Sequence, residues 1–92
     1  TIPNGVTSIQ RWTFAGCTSL ASVTIPNTTT SIQYGAFETC SNLRNVALPS
    51  TLTSIAGNAF LDCIRIDSLI VPSLVDVIGD NAFNNINLVK YD

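Results

Sequence analysis

Histidine and methionine are both missing from this chain of 92 residues, and only 11% of the residues are charged. Histidine is the side chain that most readily changes charge near neutral pH and the commonest metal ligand, so its absence argues against acid–base and metal-dependent catalysis. The six acidic residues stand singly, and there is no glycine-rich phosphate loop and no spacing typical of metal ligands. We therefore predict a protein that is not an enzyme and holds no cofactor or metal.

Positive charge and long apolar runs are also scarce. The net charge is −2 and no basic cluster is present, which disfavours nucleic acid as a partner. No stretch approaches the ~20 apolar residues that a membrane helix requires, so we expect no membrane insertion. The chain begins with Thr1 rather than methionine and shows no signal peptide, which leads us to expect a processed or excised piece of a longer array or filament.

An internal repeat organises the whole sequence. The pattern Phe-x-x-Cys occurs three times at an interval of 23 residues, and Phe83 marks a fourth copy. Cutting the chain at this interval gives four segments without a gap, which are 1–23, 24–46, 47–69 and 70–92. Periods of about 20–29 residues are typical of leucine-rich repeats, in which stacked coils bury a core that one coil cannot bury alone. We therefore predict that 1–92 is a single solenoid.

Three columns of the repeat are nearly constant, and a fourth pattern predicts a strand. The columns are Pro3, Pro26, Pro49 and Pro72; Ile9, Ile32, Ile55 and Ile78; and Phe14, Phe37, Phe60 and Phe83. The pattern L-x-x-V-x-I, as in Leu20, Val23 and Ile25, places its last two side chains on the same face of a strand. We predict a strand near positions 21–25 of each period, a short strand near 6–9, and a short helix or 3-10 turn near 11–16.

The combined pattern, I-P-x-x-(V/T/L)-T-S-I-x-x-x-A-F-x-x-C-x-x-L-x-x-V, closely resembles the BspA-like class of leucine-rich repeats over the entire chain. The resemblance implies an α/β fold, a right-handed, weakly curved, β-rich solenoid of four 23-residue coils with parallel strands and short helical or 3-10 turns. Such proteins are typically secreted or attached to the surface of bacteria and some unicellular eukaryotes, and several are adhesins. The shared residues are packing residues, so the resemblance transfers no ligand and no site.

The last coil departs from the pattern. Ile86 occupies the cysteine column. Leu88 and Tyr91 fit the strand columns only if one residue is deleted, and Val89 fits a core column equally well. The sequence therefore leaves the course of the final strand open.

Three cysteines, Cys17, Cys40 and Cys63, fall at equivalent points of successive coils. Stacked coils lie about 4.8 Å apart, a distance that suits a disulfide, but the Cβ directions should be parallel rather than convergent. We favour a ladder of buried thiols that pack as small hydrophobic groups. A disulfide between two of them is one alternative. A reactive or metal-binding thiol is another, and it is disfavoured because no basic residue is placed to lower a thiol pKa.

Outward positions of the predicted strands are the candidates for contact with a partner. They include Arg44, Asp67, Ile70, Lys90 and Tyr91. Stacking at 23 residues would set Arg44 beside Asp67 and Asp67 beside Lys90, and opposite charges on neighbouring strands contribute ~0.2–1 kcal/mol. Such a charge ladder either fixes the register alone or belongs to a surface that binds a protein or glycan.

Asn27 begins the single N-x-S/T sequon of the chain, Asn27-Thr28-Thr29, directly after Pro26 at a predicted turn. A turn can accommodate a glycan, and the modification requires a eukaryotic secretory source. Asn27 is therefore a glycosylation candidate.

Two classes of function remain, and both imply a secreted or cell-surface location. The first is a non-catalytic extracellular module that binds a protein or glycan in adhesion. The second is a structural protein, because an uncapped solenoid exposes apolar coil ends and open strand edges that head-to-tail stacking of copies would bury in a filament or surface scaffold. The residues expected near such joints are Trp12, Ile86, Leu88 and Tyr91.

Overall fold

The computed structural model describes residues 2–86 and 88–92, and for Leu88 it describes the backbone alone. Eight short β-strands alternate along the described chain between a two-residue and a longer type. The two-residue strands are β1 (Ser8–Ile9), β3 (Ser31–Ile32), β5 (Ser54–Ile55) and β7 (Val77–Ile78). The longer strands are β2 (Ser22–Thr24), β4 (Asn45–Ala47), β6 (Ser68–Val71) and β8 (Leu88–Tyr91).

A four-stranded parallel sheet joins all four coils in the order β1-β3-β5-β7. Its strands pair at the repeat interval, so that Ile9 lies opposite Ile32 and Ile55 lies opposite Ile78. Neighbouring side chains of a strand point to opposite faces. The isoleucines of β1, β3 and β5 consequently point into the core and are at most 3% exposed. The predicted short strand near positions 6–9 of each period is confirmed.

Turns occupy positions 11–16 of each period, and the described residues contain no helix. The predicted helix or 3-10 turn is therefore wrong, as is the α part of the predicted α/β class. The cause is that successive backbone N–H groups donate alternately within their own coil and to the next coil. The N–H of Ala15 donates within the coil to the Trp12 carbonyl at 3.0 Å, whereas the N–H of Phe14 donates to the next coil, at Ala36, at 2.8 Å. A 3-10 helix needs consecutive N–H groups to donate three residues back, and every second group here belongs to the ladder between coils.

Two columns of left-handed backbone shape these turns. The first contains Trp12, Gly35, Asn58 and Asn81, with φ of 55°, 63°, 58° and 61°. The second contains Gly16, Thr39, Asp62 and Asn85, with φ of 72°, 58°, 60° and 69°. Glycine, asparagine and aspartate adopt this region with the least strain, so six of these eight positions carry the expected residue type. A run of helical φ and ψ cannot continue through either column.

The phenylalanine column forms a continuous stack at the centre of the solenoid. Ring centroids are 5.2 Å apart from Phe14 to Phe37 and from Phe37 to Phe60, with planes within 8° of parallel. The last step, from Phe60 to Phe83, is 6.2 Å. Phe37 and Phe60 are fully buried, whereas the end rings are half-buried. The predicted packing role of this column is confirmed.

The longer strands form two separate two-stranded parallel sheets, β2-β4 and β6-β8. Val23 pairs with Val46, an interval of 23 residues, but Leu69 pairs with Val89, an interval of 20. The last coil is thus three residues shorter than the others before its strand. Val89 takes the core column, and the alternative alignment with one deleted residue is wrong.

Candidate functional site

The exposed outer side of the longer strands is here called the strand face. Alternation along β6 buries Leu69 and Val71 and exposes Ser68 and Ile70. All five residues that the sequence offered for partner contact lie in or directly before these strands and are exposed, namely Arg44, Asp67, Ile70, Lys90 and Tyr91. Ile70 is 59% exposed on this face. Tyr91 is 67% exposed but pairs with the inward-facing Val71, so its side chain lies on the other side of β8 and the prediction that it points outward with Lys90 is wrong.

The structure does not form the predicted charge ladder on the strand face. In the part of the chain that the structure describes, no strand pairing joins β4 to β6, so Arg44 and Asp67 are not neighbours in a ladder. The shorter last coil moves Lys90 opposite Ile70 rather than opposite Asp67. The prediction assumed one register of 23 residues throughout, and that register holds on this side only between the first two coils.

A gap interrupts the strand face between β4 and β6. The four-stranded sheet remains continuous through the same coils, where Ile32 pairs with Ile55. The second and third coils are thus in contact on one side and separated on the other. A cavity of about 330 Å³ opens at the separation, and it is lined by Val46, Ala47, Leu48, Ser68, Ile70 and Asp92, among others.

Unpaired backbone groups border this gap on both sides. The Ala47 carbonyl accepts a hydrogen bond from Ile25 at 3.3 Å, so the backbone groups of Val46 point the other way, because donors alternate along a parallel ladder. On the opposite side the Val71 carbonyl accepts from Asp92 at 2.9 Å. By the same alternation, the backbone groups of Ile70 point into the gap.

Apolar side chains are exposed at the two ends of the described stack. In the fourth coil Leu74, Val77 and Ile78 are 60%, 57% and 39% exposed. At the first coil an open cavity of about 270 Å³ is lined largely by apolar residues that include Ile2 and Val6. Of the joint residues proposed from sequence, Trp12 and Tyr91 are exposed and Ile86 packs partly buried against the core. The Leu88 side chain lies outside the described residues.

The cysteines form the expected ladder of free thiols. Cys17 is half-buried and the other two are fully buried. The Cys40 thiol donates to the Phe14 carbonyl and the Cys63 thiol to the Phe37 carbonyl, each at 3.0 Å. The neighbouring Cys40 thiol, together with burial, raises the pKa of the Cys63 thiol above its ordinary value. A thiol held in this way is a poor nucleophile.

Asn27, the glycosylation candidate, is exposed. The third residue of its sequon is not, because Thr29 is fully buried and its hydroxyl donates to the Val6 carbonyl at 2.8 Å. The hydroxyl of Thr51 in turn donates to the Thr29 carbonyl at 2.9 Å. The sequon therefore also contributes to the packing between coils.

A second exposed surface, which the sequence did not reveal, lies on the turns of the first three coils. This surface, here called the Trp12 patch, consists of Trp12, Tyr34, Glu38 and Asn58. The rings of Trp12 and Tyr34 meet edge to face, with centroids 5.6 Å apart and planes at 80°. The side-chain amide of Asn58 donates to the Tyr34 hydroxyl at 2.9 Å and to Oε1 of Glu38 at 3.0 Å. These four side chains are fixed relative to one another.

Trp12 occupies a left-handed position at an energetic cost. A non-glycine residue in this region costs roughly 1–2 kcal/mol, and a bulky one is an outlier. The ring lies against Gly35 of the next coil, where a β-carbon would overlap the indole. Tyr34 likewise packs on Gly57, where a β-carbon would lie 3.3 Å from the phenol ring. Two glycines thus leave room for two aromatic rings, a pairing that the sequence contained but that only the register between coils makes visible.

A model of the BspA type leucine rich repeat region (6 copies) matches residues 1–92. A comparison with curated proteins finds no match. Three solved structures are similar: a leucine-rich repeat protein from Bacteroides capillosus (31% identity, TM-score 0.85), the leucine rich repeat protein of T. pallidum (25%, 0.77) and a leucine rich cell surface protein from Faecalibacterium prausnitzii (27%, 0.76).

These similarities cover nearly all of this chain but only part of the other proteins. The three alignments include 95%, 95% and 99% of this chain, and 64%, 54% and 31% of the respective solved chains. The chain thus spans less than two thirds of each of them. Leucine-rich repeats of this kind are commonly binding modules. Because the family model matches every coil, the chain belongs to the BspA type leucine-rich repeat family.

Proposed function

We propose that this chain is a non-catalytic module that binds an extended segment of a protein partner on its strand face. The observation that carries the proposal is the gap between β4 and β6, where one sheet is interrupted while the sheet on the other side continues. An extended peptide that adds to a free strand edge gains affinity from backbone hydrogen bonds and specificity from alternate side chains.

The borders of the gap suit such a strand on both sides. Val46 on one side and Ile70 on the other direct backbone donors and acceptors toward the space between them. An inserted strand needs about 4.8 Å to each neighbour, the ordinary spacing of a sheet, so binding requires β4 and β6 to stand about twice that spacing apart. The cavity of about 330 Å³ supplies the opening, and the small side chains of Ala47 and Ser68 leave it accessible.

Side chains around the gap would select the partner. The exposed side chain of Ile70 offers an apolar contact beside the slot. Arg44 and Asp67 stand directly before β4 and β6 and place opposite charges at the same edge of the gap. Charges at the rim of an interface mainly change association rate and specificity. Arg44, Asp67 and Ile70 are therefore the residues of the strand face that we assign to partner contact.

The test first selects peptides that bind the protein and then compares two variants, each of which replaces a serine by proline. Peptides selected from a displayed random library are titrated against the protein and against Ser68→Pro, which removes an N–H that faces the gap. Ser22→Pro is the matched control, because Ser22 holds the equivalent position in β2 and its N–H faces away from β4. We expect Ser68→Pro to weaken binding at least tenfold and Ser22→Pro to leave it unchanged. Equal effects of both variants, or peptides that bind elsewhere, would remove the basis of the proposal.

An extracellular location is part of the proposal and rests on similarity. The Faecalibacterium prausnitzii relative is described as a cell surface protein, and proteins of this repeat class are typically secreted or surface-attached. Surface labelling of intact source cells with an impermeant reagent tests the location. Labelling that requires lysis of the cells would contradict it.

Head-to-tail association of copies is a second candidate, supported by the apolar ends of the stack. Val77 and Ile78 expose both their side chains and a strand edge, and the opposite end offers the apolar cavity beside Ile2 and Val6. Further coils of a longer chain would cover the same surfaces. Sedimentation at rising concentration tests association, with Val77→Lys as the disrupting variant and Lys90→Gln as the control. A sedimentation coefficient that does not rise with concentration excludes this candidate.

A further inference from the structure

The Trp12 patch lies on the turn segments and takes no part in the strand-face proposal. Trp12 is 52% exposed and Tyr34 is 43% exposed, so both rings present apolar surface to solvent. The Asn58 amide fixes the phenol and the carboxylate of Glu38 at one end of this surface. Exposed aromatic rings beside fixed polar atoms are typical of recognition sites, because they combine large contact area with few rotatable bonds.

The backbone conformation of Trp12 indicates that its indole has a role other than making the turn. Coils two, three and four place Gly35, Asn58 and Asn81 where the first coil has Trp12, and all four residues have φ between 55° and 63°. The turn is therefore made equally well by the residue types that adopt this conformation easily. A residue that keeps a strained conformation without improving the turn is a reason to look for function at its side chain.

We infer that the Trp12 patch is a binding site for a sugar ring. The C–H face of a pyranose is apolar and slightly positive, and it packs against the negative face of an aromatic ring. Its hydroxyl groups both donate and accept hydrogen bonds, and the patch offers both. Within the described residues, Oε2 of Glu38 and Oδ1 of Asn58 make no hydrogen bond and are free to accept one from a ligand, while the Tyr34 hydroxyl hydrogen can donate.

The same polar atoms argue against an organic cation as the ligand. A cation would gain from the aromatic faces and from the Glu38 carboxylate. It would leave the donor of Tyr34 unused, and a quaternary ammonium would also leave both acceptors unused. Arg11 is exposed and directly precedes Trp12 in the chain, so it adds a positive charge near the indole. A polyol uses every group that the patch presents.

Trp12 is the single tryptophan of the chain, so its emission reports directly on the patch. The probes are the methyl glycosides of glucose, galactose, mannose and N-acetylglucosamine, and tetramethylammonium is the competing cation. Because the patch is open and contacts only one sugar ring, we expect a Kd of about 1–10 mM for the preferred sugar. We expect a saturable blue shift of the emission and reduced quenching by acrylamide. No response to any of the four glycosides, or a response to tetramethylammonium alone, overturns the assignment.

Three substitutions separate binding from folding. Trp12→Asn installs the residue that the third and fourth coils use at this position, so the turn keeps its conformation. We expect Trp12→Asn to abolish sugar signals in saturation-transfer NMR without lowering the thermal midpoint by more than a few degrees, because relief of the backbone strain offsets the lost packing on Gly35 and Tyr34. Glu38→Gln keeps the acceptor for Asn58 and should weaken binding about tenfold, because a hydrogen bond to a carboxylate is replaced by a neutral one. Tyr34→Phe should weaken it less.

Sugar binding that survives Trp12→Asn, or a loss of binding that merely follows unfolding, refutes the inference. Ser68→Pro on the strand face serves as the control for independence of the two sites. We expect that variant to bind the sugar as the parent protein does, so failure of the peptide proposal leaves this inference standing and the reverse also holds.

Discussion

The phenylalanine stack offers a quantitative test of how the coils stabilise one another. In Phe37→Leu an apolar side chain is kept in the core while both aromatic contacts of a fully buried ring are removed. The ring of Phe37 has one neighbour on each side at 5.2 Å, in offset-stacked geometry. Each aromatic pair contributes about 0.5–1.5 kcal/mol beyond the area that it buries, so the loss of two pairs costs about 1–3 kcal/mol.

Phe14→Leu is the matched control, because it makes the same chemical change at the end of the stack. Phe14 is half-buried and has one stacked neighbour. The same reasoning gives a loss of about 0.5–1.5 kcal/mol, half of the loss at the interior position. The change in side-chain volume is the same in both variants and cancels in the difference between the two losses, and the greater burial of Phe37 adds to that difference.

Urea unfolding measures both losses. With a denaturant slope of about 1.5 kcal/mol/M, Phe37→Leu should lower the urea midpoint by about 0.7–2 M and Phe14→Leu by about half as much. Circular dichroism and the emission of Trp12 should be followed together, because a solenoid can lose one coil before the others. Equal losses at the two positions, or a loss at Phe37 below that at Phe14, would show that stacking between coils does not set the stability.

Two further predictions concern close packing between coils and the thiols. Gly79→Ala should destabilise by about 1–3 kcal/mol in urea unfolding, because a β-carbon there would overlap the backbone of Gly57, whereas Gly16→Asn should change stability little, since its surroundings are open and asparagine tolerates positive φ. In native protein a maleimide should label Cys17 first and leave Cys63 unlabelled until unfolding, as read by mass spectrometry. Rapid native labelling of Cys63 would contradict its burial and raised pKa.

The sequence predicted those features that repeat in every coil. Ile32 and Phe37 recur at a fixed interval because each must meet its equivalents above and below, and a parallel stack permits only one register for that contact. The strands and the buried columns could therefore be read from the period. The short helix could not be excluded in this way, because Phe14 and Ala15 look alike in sequence while their N–H groups donate to different coils.

Features that occur once were harder to predict. The pairing of Leu69 with Val89 makes the last coil three residues shorter before its strand, although 70–92 still spans one 23-residue period. The gap beside Ile70 depends on how that shorter coil packs on its neighbours. No column of the repeat specifies this packing. The Trp12 patch requires contacts across three coils. Local patterns specify a repeat, and tertiary contacts specify its exceptions.

The difference between features that repeat in every coil and features that occur once indicates where function lies in a stacked protein. Residues of the packing columns are constrained by two neighbours each, so a ligand-specific change at Phe37 or Ile55 would cost core packing in adjacent coils. Outward positions have no such constraint, and a departure there persists at little cost to the stack. Trp12 and Ile70 are departures of this kind: Trp12 stands in a column of glycine and asparagine, where its cost is in its own backbone, and Ile70 stands in the column of Thr24 and Ala47. Variation at exposed columns, rather than at the repeated packing columns, is therefore where members of such a family can differ in what they bind.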